Sequence, residues 1–136
     1  MNITGKIVAG AALALAAGCV ETAGTRVDID TQTGEASVME CSRRLASKVR
    51  VYDVRYDTSA AIRKATVKIE SLVHRRLELQ ARMVWTDDEG IDIDPDGKPF
   101  RPIVLDGLDV TSFTGVSPNP RGVKARVQIR ETDTAQ

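Results

Sequence analysis

The sequence predicts an all-β protein, a sandwich of six or seven short antiparallel strands, and three observations predict it. Apolar and polar side chains alternate with period two through most of the chain after residue 48, the pattern of strands with one buried and one wet face. Clusters of Asp, Gly, Pro and Asn punctuate these runs and supply turns. Valine, isoleucine and threonine are frequent while aromatics are few (one Trp, two Tyr and two Phe), a mix that favours strands over helices.

Residues 1–6 are polar with one charge, Lys6, and residues 7–17 are apolar without a break. An apolar run of 11 residues is too short to span a bilayer as a helix, which takes about 20 residues, but it fits the hydrophobic region of a secretion signal. Ala16, Ala17 and Gly18 then precede Cys19. This segment resembles the bacterial lipobox, with one departure: Ala16 stands where leucine is usual, and Leu15 lies one place earlier. The resemblance implies that Cys19 takes a diacylglyceryl group and becomes the new N-terminus. Its lipid is the only cofactor expected. Each lipid CH₂ buried in a membrane contributes about 0.8 kcal/mol, so two or three chains hold a protein there durably. Val20, rather than aspartate, follows the cysteine. By resemblance to enterobacterial sorting rules, this implies attachment to the periplasmic face of the outer membrane.

The expected organisation is a signal over residues 1–18, a lipidated N-terminus and tether over 19–47, a sandwich domain over 48–132 and a tail over 133–136. Lys6 is the only charge before Cys19, so the mature part carries 18 basic and 19 acidic side chains, a net of −1. That balance gives no general basic surface for nucleic acid. Residues 20–38 are polar and read as tether, although Val27 and Ile29 alternate with Asp28 and Asp30 as a short strand would. Residues 39–48 read as one or two helical turns.

From there period two takes over. Val49 and Val51 alternate with charges, and Val54 and Tyr56 continue the pattern out of phase, so one extra residue near Tyr52–Asp53 predicts a β-bulge. Ala65, Val67 and Ile69 form one strand face. Leu77, Leu79, Ala81, Met83 and Trp85 form the next, and Val123, Ala125, Val127 and Ile129 the last. Ile91–Ile93, Ile103–Leu105 and Val110–Phe113 are shorter strand candidates.

Three segments carry a family resemblance: Ala36–Glu40, Met83–Gly90 (a strand ending in Trp followed by an acidic turn) and Gly115–Pro120 leading into the closing strand. Over about residues 36–132 the chain resembles the YcfL-like family of small Gram-negative lipoproteins. Thr86 stands where an aromatic is common in that family, and Cys41 where serine is usual. The resemblance implies an immunoglobulin- or fibronectin-III-like sandwich on an outer-membrane lipoprotein. It supplies no catalytic residues.

The sharpest local motif is Asp92-Ile93-Asp94-Pro95-Asp96-Gly97, which matches the start of a calcium loop. The match then fails, because Ile103 occupies the twelfth position, where a bidentate glutamate belongs. The expectation is a solvated acidic turn without a metal, with a calcium-stabilised module as the alternative. His74 is the only histidine, which excludes a His-rich zinc site. A Cys41–His74 nucleophile pair has nothing in the sequence to orient it. With Cys19 lipidated, Cys41 would be the odd cysteine: a free thiol, an intermolecular disulfide or a small half-buried side chain.

Basic residues gather on wet strand faces: Lys124, Arg126 and Arg130 on the last strand, Lys64 and Lys68 on an earlier one and Arg82 on a third. On one sheet they would form a surface for an acidic partner. With Glu70, Glu78 and Glu131 interleaved, an ordinary solvated face is the expectation. Trp85 reads as core. The functional expectation is a non-enzymatic, lipid-anchored module that binds another envelope protein or the peptidoglycan.

Overall fold

The computed structural model describes residues 24–94 and 99–132. Eight strands and one helical turn follow in the order β1 Thr25–Asp30, β2 Ala36–Glu40, α1 Arg43–Ala46, β3 Val49–Asp57, β4 Lys64–Ser71, β5 Leu77–Thr86, β6 Arg101–Leu105, β7 Val110–Val116 and β8 Lys124–Glu131. They form two antiparallel sheets, β2-β1-β8-β5-β6 and β3-β4-β7, packed as a β-sandwich. The chain changes sheet through α1 and through the loops before β5, β7 and β8.

The alternation read from the sequence is the inside–outside parity of the structure. Along β5 every second residue from Leu77 to Trp85 is buried. Register lines these residues up across the larger sheet: Val127 lies between Val27 and Met83, Ala125 between Ile29 and Trp85, and Ile129 between Thr25 and Ala81. Val67, Ile69 and Phe113 meet them from the smaller sheet, and all are buried in one cluster. A fully buried Val or Leu contributes about 1.5–3 kcal/mol relative to an exposed one, so these rows dominate the stability of the fold.

The expected bulge is present. The register of β3 against β4 shifts between Tyr52 and Arg55, and Asp53 takes φ 53° there. The extra residue returns Val54 to the core, where it is 1% exposed.

Three expectations are corrected. The segment read as tether contains β1 and β2, which brings the strands to eight. Its polar character comes from the outward residues Arg26, Asp28 and Asp30, while Thr25, Val27 and Ile29 are buried. The hairpin closes through Asp30, whose carboxylate accepts from the Gln32 and Thr33 amides at 2.9 and 3.3 Å, and through Gly34 at φ +85°. Second, the helical turn is limited to Arg43–Ala46, capped by Ser42, whose Oγ accepts from the Leu45 amide at 3.1 Å. Met39 and Glu40 belong to β2. Third, Ile91–Ile93 makes only an isolated bridge, Asp92 to Thr86, because the chain is still completing the turn after β5.

Candidate functional site

The outer face of the larger sheet brings Lys124, Arg126, Arg130 and Arg82 together, whereas Lys64 and Lys68 lie on β4 in the other sheet. Strand pairing arranges the outer face in rows: Asp30–Lys124–Thr86, Asp28–Arg126–Val84 and Arg26–Gln128–Arg82. Asp28 takes Arg126 Nε at 3.1 Å on one oxygen and an Arg26 guanidinium nitrogen at 3.1 Å on the other. Exposed pairs of this kind contribute about 0–1 kcal/mol, so they set the orientation of the side chains more than the stability of the fold.

Arg82 and Arg130 are held differently. Each donates its Nε to a glutamine opposite, Gln128 at 2.6 Å and Gln80 at 2.8 Å. Their guanidinium carbons lie 4.5 and 3.6 Å from the centre of the Phe100 ring, so both cations stack on one aromatic.

At the far end of this face is a concavity of about 700 Å³ whose walls include Asp28, Asp30, Glu35, Asp92, Lys124 and Arg126. It joins the two candidates that the sequence kept apart, the acidic loop and the basic strand. Its lining mixes both charges along the strands, and that chemistry can recognise a polar or zwitterionic group. The rim is a fixed turn. The Asp87 carboxylate accepts from the Ile91 amide at 3.0 Å and the Glu89 amide at 2.9 Å. These bonds, that of Ile91 above all, hold its pKa below the ordinary value, with Arg121 and Lys124 adding to the effect.

Asp92 and Asp94 sit on the loop after β5, Asp92 exposed and Asp94 half-buried, and Asp96 lies outside the described residues. Among the described residues no three His, Cys, Asp or Glu side chains are grouped so as to hold a metal ion. His74 is exposed on the loop between β4 and β5. Cys41, just past β2, is disulfide-bonded, so its sulfur is not a thiolate nucleophile for His74 to activate. The chain's other cysteine, Cys19, lies outside the described residues with the rest of the signal segment, as does the tail at 133–136. Trp85 is buried in the core, 2% exposed.

Sequence reasoning missed Phe100 and Arg101. They enter a strand too short for a period to be read, and their significance comes from contacts across sheets: Arg101 stacks 4.8 Å over Phe113 of β7.

Among curated proteins no relative matches this chain. Two solved structures are similar. The crystal structure of a DUF1425 family member from Shewanella sp. pv-4 shares 25% identity and covers 64% of this chain and 81% of its own, with a TM-score of 0.58. That of Campylobacter jejuni cj0090 shares 12% identity, covers 63% of this chain and 88% of its own, and has a TM-score of 0.50; it supports the fold alone. The family model described as "Protein of unknown function (DUF1425)" matches residues 35–131, and the chain belongs to that family.

Proposed function

We propose that this protein is a YcfL-like, lipid-anchored and non-catalytic module of the cell envelope. In this reading Cys19 holds the domain on the periplasmic face of the outer membrane, and the opposite end of the sandwich meets another envelope protein or the peptidoglycan. The observation that carries the reading is the course of β1. Only five residues separate Cys19 from Thr25, where β1 begins, so the lipid and the start of the sandwich are at most about 20 Å apart. The strand then runs away from that end to Asp30, which lines the 700 Å³ concavity. One strand therefore roots the domain at its lipid end and opens the recognition surface at the other.

The rooted end also suits a membrane surface. The exposed apolar residues Leu72 and Leu108 lie there, on the loops before β5 and β7, beside Arg75 and Arg76. Leu108 takes φ 60°, a left-handed conformation that glycine or asparagine adopts with less strain.

The test is the chemistry of Cys19. A sulfur alkylated by diacylglyceryl cannot also form a disulfide, so the lipidated protein and a protein whose Cys41 is bonded to Cys19 are different molecules. Mass spectrometry of the unreduced N-terminal peptide from envelopes separates them. The expected result is a diacyl or triacyl mass on Cys19, sedimentation with the outer membrane, and loss of both in Cys19→Ser. An unmodified Cys19 bonded to Cys41 would sink the anchor.

A further inference from the structure

β6 and β7 are the edge strands of the two sheets on the same side of the sandwich, β6 pairing with β5 and β7 with β4. Where they part, a cavity of about 360 Å³ enters the sandwich, its walls including Arg82, Met83, Trp85, Arg101, Phe113 and Val116. Trp85 is 2% exposed, and its indole Nε1–H, a donor only, has no acceptor among the described residues. A buried donor left unmatched costs about 1–3 kcal/mol, which makes it a position that an acceptor would stabilise.

Arg101 adds donors. It stacks on Phe113, 4.8 Å from the ring centre. Among the described residues it lies within 4.0 Å of no carboxylate. Stacking fixes the plane of a guanidinium and leaves its N–H edge available, the arrangement that receives a carboxylate in a fork. Met83, Phe113 and Val116 supply apolar walls, and Thr114 lies among the lining residues.

We propose that this seam is a binding site for a carboxylate carried on a small aliphatic body, with Arg101 and the Trp85 indole N–H as its donors. A cavity of this size is at the small end of ligand sites, about 300–1,000 Å³, and takes one short chain rather than a folded surface. The exposed edges of β6 and β7 on either side favour the C-terminus of an extended peptide, which can add main-chain hydrogen bonds to an edge strand. A free alkanoic acid offers the same carboxylate and body without those bonds. The site rests on residues of the domain alone and stands whether or not Cys19 carries lipid.

Trp85 is the only tryptophan, so its indole N–H gives one resonance in a nitrogen–proton correlation spectrum and reports on the site directly. The probes are acetyl-Ala-Leu with a free carboxylate, the same dipeptide as its amide, hexanoate and hexanol, titrated into the protein. The expected result is a saturable shift of the indole resonance with the free-acid dipeptide, at an affinity of about millimolar or better, and none with the amide or hexanol. Hexanoate acting as well as the dipeptide would assign the site to free acids. Arg101→Gln, at an exposed position, should keep the melting temperature and weaken binding about tenfold or more. Trp85→Phe, followed by calorimetry, should weaken it as well. No saturable shift with either acid, an equal shift with the neutral analogues, or binding that survives Arg101→Gln would overturn the proposal.

Discussion

Gly115 of β7 lies directly beneath Met83 of β5, so close that a Cβ on the glycine would fall about 3.0 Å from Met83 Cβ and 3.1 Å from Cγ and collide with its Sδ. The glycine allows this approach by having no side chain. Gly115→Ala should therefore overpack the core and cost about 1–3 kcal/mol. Denaturant unfolding checks this, and a second substitution identifies the contact. Met83→Ala alone opens a cavity at a cost of about 2–5 kcal/mol, and the double variant should cost less than the two together. Strict additivity would show that the strain in Gly115→Ala lies elsewhere.

The long strands were legible because burial imposes period two on them. Leu79, Ala81, Met83, Trp85, Val127 and Ile129 all face inward as their parity predicted, and the phase slip at Val54 marked the bulge at Asp53. The β1–β2 hairpin was legible only in the alternation of Val27 and Ile29, because a five- or six-residue strand with charged outer residues looks like a solvated linker until its register with β8 is known. The seam at Trp85 was invisible for a related reason. It is made by residues from β5, β6 and β7 that only the pairing of edges brings together.

The hairpin leads to a prediction about chain length. β1 is an interior strand, between β2 and β8, and covers one edge of the β8 ladder. A fragment starting at residue 35, where the family match begins, lacks it and leaves that edge open. A fragment of residues 24–132 should unfold cooperatively, and one of residues 35–132 should not. Circular dichroism melts decide between them. Equal cooperativity would mean that β1 is an accessory strand.

A single hydroxyl ties this hairpin down. Thr31, 6% exposed, donates its Oγ1 to the Val123 carbonyl at 2.6 Å, joining the hairpin turn to the segment that enters β8. Thr31→Val keeps the shape and removes the donor, leaving a buried carbonyl with one bond fewer. The Thr31 amide still donates to the same oxygen at 3.0 Å, so the loss is held to about 1 kcal/mol. Chemical denaturation of the two proteins measures it, and no change would place that hydroxyl in contact with water.

Acid should loosen the rim of the concavity. Asp87 has its pKa lowered from 3.8 by the Ile91 and Glu89 amides. Asp53, beside Arg55, and Asp57, bonded by Ser59, are lowered as well. A carboxylate with a depressed folded pKa contributes stability that is fully present above its unfolded pKa and is lost as pH falls through the folded one. The contribution of these three groups should therefore be constant at neutral pH and fade below the ordinary carboxylate value. Asp87→Asn should flatten part of that acid-side slope and leave the neutral side unsloped. Thermal melts across the acid range provide the check; a slope in Asp87→Asn identical to the parent's would show that the turn does not depend on the charge.

The acidic loop itself should not take calcium. Asp92, Asp94 and Asp96 repel one another over a short stretch, and a cation would relieve that repulsion. A calcium ion needs six to eight oxygens, however, and the residue twelve places into the loop motif should supply two of them. That residue is Ile103, and β6 pins it opposite Leu79, where it packs partly buried against the core. Substituting glutamate there would put a charge against the core rather than complete a metal site. Asp92 instead lines the 700 Å³ concavity, which it shares with Lys124 and Arg126. Calorimetric titration of the full chain with calcium should give no saturable heat and no rise in melting temperature, with Asp94→Asn indistinguishable from the parent. Tight binding lost in Asp94→Asn would make the loop a metal site and the protein a calcium-stabilised module.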